Sequence, residues 1–125
     1  MKYPLFIALG GALGALSRYG LSNWVHGLWE GLVPLGTLLV NVTGSFAIGA
    51  IYVLLAEKEL IHPDWRSVLM VGFLGAFTTF STFSLETVEL LEKGHLAHGL
   101  LYLLGSALSC VLMAALGMQL TRWLA

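Results

Sequence analysis

The sequence predicts an all-α membrane protein of four transmembrane helices, the third broken near its middle, forming a single domain over residues 1–125. Three observations carry this. Only 10% of the residues are charged, against about a quarter in soluble domains. Four apolar stretches each come near the roughly 20 residues that span the hydrocarbon core of a bilayer. Short connections separate them, as antiparallel neighbours in a bundle require.

Composition also excludes several function classes. A net charge of −1 offers no electrostatic footprint for nucleic acid. Cys110, the one cysteine, has no partner for an intrachain disulfide and no neighbour at zinc-ligand spacing. No cleavable signal peptide is expected, because the apolar pattern of the first segment continues past Arg18 without a cleavage region.

The first span covers about residues 3–25. Gly10, Gly11 and Gly14 are spaced to let a second backbone approach closely. Arg18 lies well inside the apolar run, where a charge costs about 2.5–3.5 kcal/mol on insertion scales. Two readings fit it: a vestibule that attracts anions, together with Ser17, Ser22 and Asn23, or an interfacial anchor. The second span covers about 34–56 and opens on Pro34, which suits a first helical position. Its polarity is concentrated in one half, with Thr37 and Asn41 one helical turn apart. A buried amide needs a partner, so Asn41 either bonds another helix or, with Thr37, lines a polar path.

The third span covers about 65–91 and contains Gly72-Phe73-Leu74-Gly75-Ala76-Phe77-Thr78-Thr79-Phe80-Ser81-Thr82-Phe83-Ser84. Its glycines, β-branched residues, serines and phenylalanines are poor helix formers, and its hydroxyls compete for backbone groups. At membrane depth such an interruption is tolerated only where the freed groups face protein, water or an ion. The stretch therefore reads as a site. Glu86 and Glu89 follow at helical spacing; Glu89 reads as a solvated helix end. The fourth span covers about 96–123 and places Tyr102 and Ser106 on one face, with Cys110 one turn further on.

Counted from the side of Met1, the cations Lys2, Lys58, Arg66 and Arg122 fall near one membrane face, and Lys93 and Arg18 nearer the other. The positive-inside rule favours Met1 in the cytoplasm. Four spans without an internal repeat suit a symmetry made by dimerisation.

Three motifs in order carry a family resemblance: Gly10-Gly11-x-x-Gly14-Ala15-x-x-Arg18-Tyr19, then Gly36-Thr37-x-x-Val40-Asn41-x-x-Gly44, then the Gly72–Ser84 stretch. Together they resemble the Fluc (CrcB) fluoride channels, over three spans at the motif level and throughout in span count. The resemblance implies a passive, fluoride-selective channel of the bacterial plasma (inner) membrane, built as an antiparallel, dual-topology homodimer with two pores. It implies that the third helix breaks at this motif and that backbone carbonyls of Gly75 and Thr78 from both subunits hold a structural Na⁺. It implies that Phe80 and Phe83 line the pores, with Asn41 nearby, that Tyr102 and Ser106 belong to a polar track reaching Cys110, and that Glu86 has a functional role. HF crosses bilayers unaided and the anion accumulates inside, so a pore for F⁻ relieves fluoride toxicity.

Physical chemistry supports those assignments unevenly. A broken helix frees carbonyls, and carbonyl oxygens suit a hard cation. Phe80 and Phe83, three apart, ordinarily mean core packing; the alternative uses the positive edge of each ring facing an anion. Such edges with the Asn41 amide can replace part of fluoride's hydration without trapping the ion. Ser81, Thr82 and Ser84 add hydroxyls beside the rings. Ser106 and Cys110 also fit as small packing residues, and a thiol is a weaker donor than a hydroxyl.

The runner-up is a small dual-topology, proton-coupled multidrug exporter. It needs an acid deep in a span, and here the acids of the third span lie beyond the break. A non-transporting scaffold subunit leaves the polar motif without a role. An enzyme is not expected: there is no catalytic constellation, and His26, His62, His95 and His98 fall in or near connections.

Overall fold

The computed structural model describes residues 2–125, with side chains from Tyr3 onward; Met1 and the side chain of Lys2, both used in the charge count above, lie outside the described residues. Among the described residues every regular element is helical. Helix α1 spans Lys2–Leu28. Helix α2 spans Leu35–Tyr52 and continues through a wider, π-helical turn, Val53–Glu57. Helix α3 comprises the π-wound Ser67–Leu74 and the short α-helical Gly75–Phe77. Helix α4 spans Phe80–Glu92 and α5 spans Leu96–Leu124. Among the described residues, four stretches are long and apolar enough to cross a membrane: Tyr3–Leu28, Leu35–Glu57, Ser67–Glu92 and Leu96–Leu124. The chain is a multi-pass, all-α membrane protein.

The connections are closed by local bonds. Trp29 Nε1 donates to the Val33 carbonyl at 2.8 Å, bending the chain from α1 into Pro34, the residue before α2. Helix α4 ends at Glu92, and two residues on Gly94, with φ 83°, lets the His95 amide return to the Leu90 carbonyl at 2.9 Å. Glu59 occupies the same left-handed region after α2, with φ 53°, a position that glycine ordinarily takes.

Ion-pair and hydroxyl contacts tie one end of the bundle. Arg122, near the end of α5, grips Glu57 with two bonds of 2.7 and 2.6 Å. At the start of α1, the Tyr3 hydroxyl donates to Asp64, just before α3, at 3.1 Å. The spans therefore alternate in direction.

Glycines set the closest helix approaches. A methyl group on Gly14 would strike the Phe73 carbonyl, and one on Gly10 the Val68 carbonyl, so α1 lies directly on the backbone of α3. Gly49 and Gly117 do the same between α2 and α5, against Ala114 and Phe46. Small residues at such crossings let backbones close where apolar solvent gives no hydrophobic drive. The interior is small: Val40, Val53 and Tyr102 are almost fully buried, and Phe83, Leu90 and Tyr102 form one cluster between α4 and α5. Leucines such as Leu13, Leu16, Leu108 and Leu112 face outward, as lipid contact demands.

Candidate functional site

Between α3 and α4 the backbone leaves helical geometry at two residues. Thr78 has φ −83°, ψ 154° and Thr79 has φ −146°, ψ 121°, both extended. Gly75 is helical, with φ −61°, ψ −36°. Within the Gly72–Ser84 stretch the extended backbone falls on the β-branched pair, in keeping with the preference of threonine for extended backbone.

Asn41 on α2 meets this extended segment. Its Nδ2 donates to the Thr79 carbonyl at 2.9 Å, and its Oδ1 accepts the Thr79 amide at 2.8 Å. One side-chain amide thus pairs both polar groups of one residue, as a neighbouring β-strand would. The Thr79 side chain caps α4, accepting the Thr82 amide at 3.3 Å. Arg18 on α1 donates from Nε to the Ala76 carbonyl at 3.1 Å, placing a cation at the C-terminal end of α3. Its side chain is half-buried.

These bonds decide which carbonyls remain. In a continuous helix, the amide of residue 79 would serve Gly75, that of 80 would serve Ala76 and that of 82 would serve Thr78. Here the Thr79 amide goes to Asn41 and the Thr82 amide goes to the Thr79 hydroxyl. Ala76 is compensated by Arg18, and Leu74 accepts both the amide and the hydroxyl of Thr78, at 3.1 and 2.9 Å. Gly75 and Thr78 are left without their helical donors. Carbonyl oxygens of this kind are ligands for a hard cation.

Two cavities flank the segment. One, of about 390 Å³, is lined by Asn41, Thr79, Phe80, Phe83, Ser106 and Cys110 among others. Ser106 is buried, and its Oγ has no hydrogen-bond partner among the described residues. The Phe80 and Phe83 rings are tilted by 57° with centroids 5.5 Å apart. Phe83 is buried, whereas Phe80 is 78% exposed on the outer face of the chain. The other cavity, of about 590 Å³, is lined by Arg18, Ser22, Asn23, Thr37, Thr82 and Glu86, with His26 at its edge of the bundle.

The candidate residues of the sequence therefore divide. Asn41, Phe80, Phe83, Ser106 and Cys110 share the first cavity, and Arg18, Thr37, Thr82 and Glu86 the second. Tyr102 lies against Phe83, ring centroids 5.1 Å apart, and its hydroxyl donates to Glu86 at 3.0 Å. Ser81 is exposed and lines neither cavity. Ser84 likewise lines neither, and bonds back to the Phe80 carbonyl at 2.9 Å. Ser109, one residue short of Cys110, is tied to the Ser106 carbonyl at 3.3 Å. Sequence reasoning missed Thr79, whose hydroxyl immediately ahead of an apolar helical run was the available signal. It also left His26 in a connection, although its ring packs over Gly36.

Comparison with known proteins bears on this arrangement. The family described as CrcB-like protein, Camphor Resistance (CrcB), matches residues 5–118. The chain is 48% identical over 122 residues to a Hahella chejuensis protein named fluoride-specific ion channel FluC, covering 98% of this chain and 96% of that one. Proteins of the same name from Magnetococcus marinus and Anaeromyxobacter dehalogenans are 46% and 44% identical. The first alignment covers 94% of this chain and 95% of the relative, the second 100% and 99%. These relatives are named as channels and not as enzymes.

Proposed function

The chain belongs to the CrcB family, and from that premise we propose that it is a passive, fluoride-selective channel through which F⁻ leaves the cytoplasm. The observation that carries the reading is the Ser106 hydroxyl, buried and unpartnered on the wall of the Phe80–Phe83 cavity. An unsatisfied buried hydroxyl costs about 1–3 kcal/mol, and a donor held ready for a small anion accounts for that cost.

Fluoride holds water tightly, so a path for it must offer replacements of moderate strength. The positive edges of Phe80 and Phe83 and the Ser106 hydroxyl are such replacements. Asn41 contributes the amide hydrogen not engaged by Thr79. Arg18, Thr37, Thr82 and Glu86 line the neighbouring cavity, where the Arg18 cation raises the local anion concentration. Ser81 and Ser84 stand beside the rings as accessory hydroxyls, and Cys110 extends the wall beyond Ser106. Flux runs down the fluoride gradient.

The functional unit is an antiparallel homodimer with two pores. The exposure of Phe80 and of Gly75 supports a partner on this face, because the partner would cover both. The Gly75 and Thr78 carbonyls fit a structural Na⁺, since each has lost its helical donor for an identified reason. A sodium ion there would offset the desolvation of carbonyls buried where two subunits meet.

The test is efflux from liposomes holding only the purified protein. Rapid fluoride loss with little chloride loss is expected, without dependence on a proton gradient. Substrate-dependent proton exchange would instead favour the exporter.

A further inference from the structure

We propose that Asn41 is a positioning residue for the cation site, acting through the backbone of Thr79: its amide holds residue 79 extended and so keeps the Gly75 carbonyl free. The inference rests on the sodium reading above but adds a cause to it. Nothing in the chemistry of Gly75 itself opens its carbonyl. Its own backbone is helical, and the amide that would satisfy it, Thr79 N–H, is drawn 2.8 Å from Asn41 Oδ1. The second bond, from Nδ2 to the Thr79 carbonyl at 2.9 Å, fixes the same residue from its other side. Two bonds also settle which end of the amide is which, since only one orientation matches donor to acceptor at both.

The alternative partner for that amide lies close at hand. In dry protein a buried N–H does not stay unpaired, and the Gly75 carbonyl is four residues back, the helical spacing. Without Asn41 the cheapest repair is for α3 to wind on through Thr79 into α4. A cation would then have to displace a hydrogen bond to reach Gly75. Arg18 takes the Ala76 carbonyl, while the Gly75 and Thr78 carbonyls are left without their helical donors. On this account, loss of the Asn41 amide strikes the cation requirement first and the anion path second.

The test uses Asn41→Leu, close in size and unable to pair, with Asn41→Ser, polar but too short to reach, serving where the leucine variant does not fold. Carbon chemical shifts of Thr78 and Thr79 in threonine-labelled protein report the backbone, and sodium titration of fluoride efflux reports the cation site. The expected result is a move of both threonines from extended to helical shifts, with about tenfold more Na⁺ needed for half-maximal efflux, the equivalent of one competing hydrogen bond. Helical shifts in a protein whose unsubstituted form is indifferent to sodium support the positioning role and refute the cation reading. Threonines that stay extended in the variants overturn the proposal, and a fall in efflux alongside them would place the amide on the ion instead.

Discussion

The Tyr102 hydroxyl on α5 donates to Glu86 Oε1 on α4 across 3.0 Å, while the same ring packs on Phe83. One side chain therefore touches a wall of each cavity. Tyr102→Phe keeps the ring and strips the donor, leaving a half-buried carboxylate short of a partner at a cost of about 1–3 kcal/mol. A lower unfolding midpoint and slower fluoride efflux are expected. Glu86→Gln combined with Tyr102→Phe should recover part of the stability, because removing both partners is gentler than removing one. Thermal unfolding in detergent, read beside efflux, separates the two effects.

Ser106→Ala should behave oppositely. Its Oγ has no partner among the described residues, so the substitution relieves a desolvation cost of about 1–3 kcal/mol. The variant should unfold at an equal or higher temperature and yet conduct fluoride more slowly. A destabilised variant with normal efflux would make Ser106 a packing residue.

Phe80→Ile and Phe83→Ile retain apolar character and lose the ring edge. Phe83 is buried, so its replacement should also cost about 1–2 kcal/mol of packing; Phe80, exposed on the single chain, should lose little within it. Both are expected to cut efflux. Normal conduction by both in a folded dimer would end the ring-edge account.

How much of this could be read from the chain alone differs by element. The four spans were legible because lipid demands long apolar helices and the connections are short and polar. The Gly72–Ser84 stretch was legible as a poor helix former from propensity, but not which of its residues is extended. Thr78 and Thr79 are, and the Thr79 amide bonds a partner 38 positions away in the chain, Asn41. Composition carries no trace of that pairing. Arg18 was legible as a costly charge, though not as the partner of one carbonyl. Phe80 and Phe83, alike in type and three apart, differ sharply in burial, which follows from the direction of α4 after the extended pair rather than from their spacing.

Gly14→Ala tests the approach of α1 to α3. The added methyl meets the Phe73 carbonyl, which cannot swing aside as a side chain would, so a loss of about 1–3 kcal/mol is expected. Gly20→Ala is the control, since nothing lies within 4 Å of its added methyl; helix propensity predicts a gain of about 0.5–1 kcal/mol. The unfolding midpoints of the two variants should move in opposite directions.

The Asn41–Thr79 pair joins a side chain to a main chain, and this makes inheritance at the two positions unequal. Asn41 recognises atoms that every residue but proline carries, so it is blind to what stands at 79. Position 79 answers only to its hydroxyl's duty at the start of α4, which serine, aspartate or asparagine can also perform. Position 41 answers to a fixed reach and to a donor and acceptor side by side, which aspartate lacks and glutamine overshoots. Diverging copies of this channel can therefore rewrite residue 79 while residue 41 stands still.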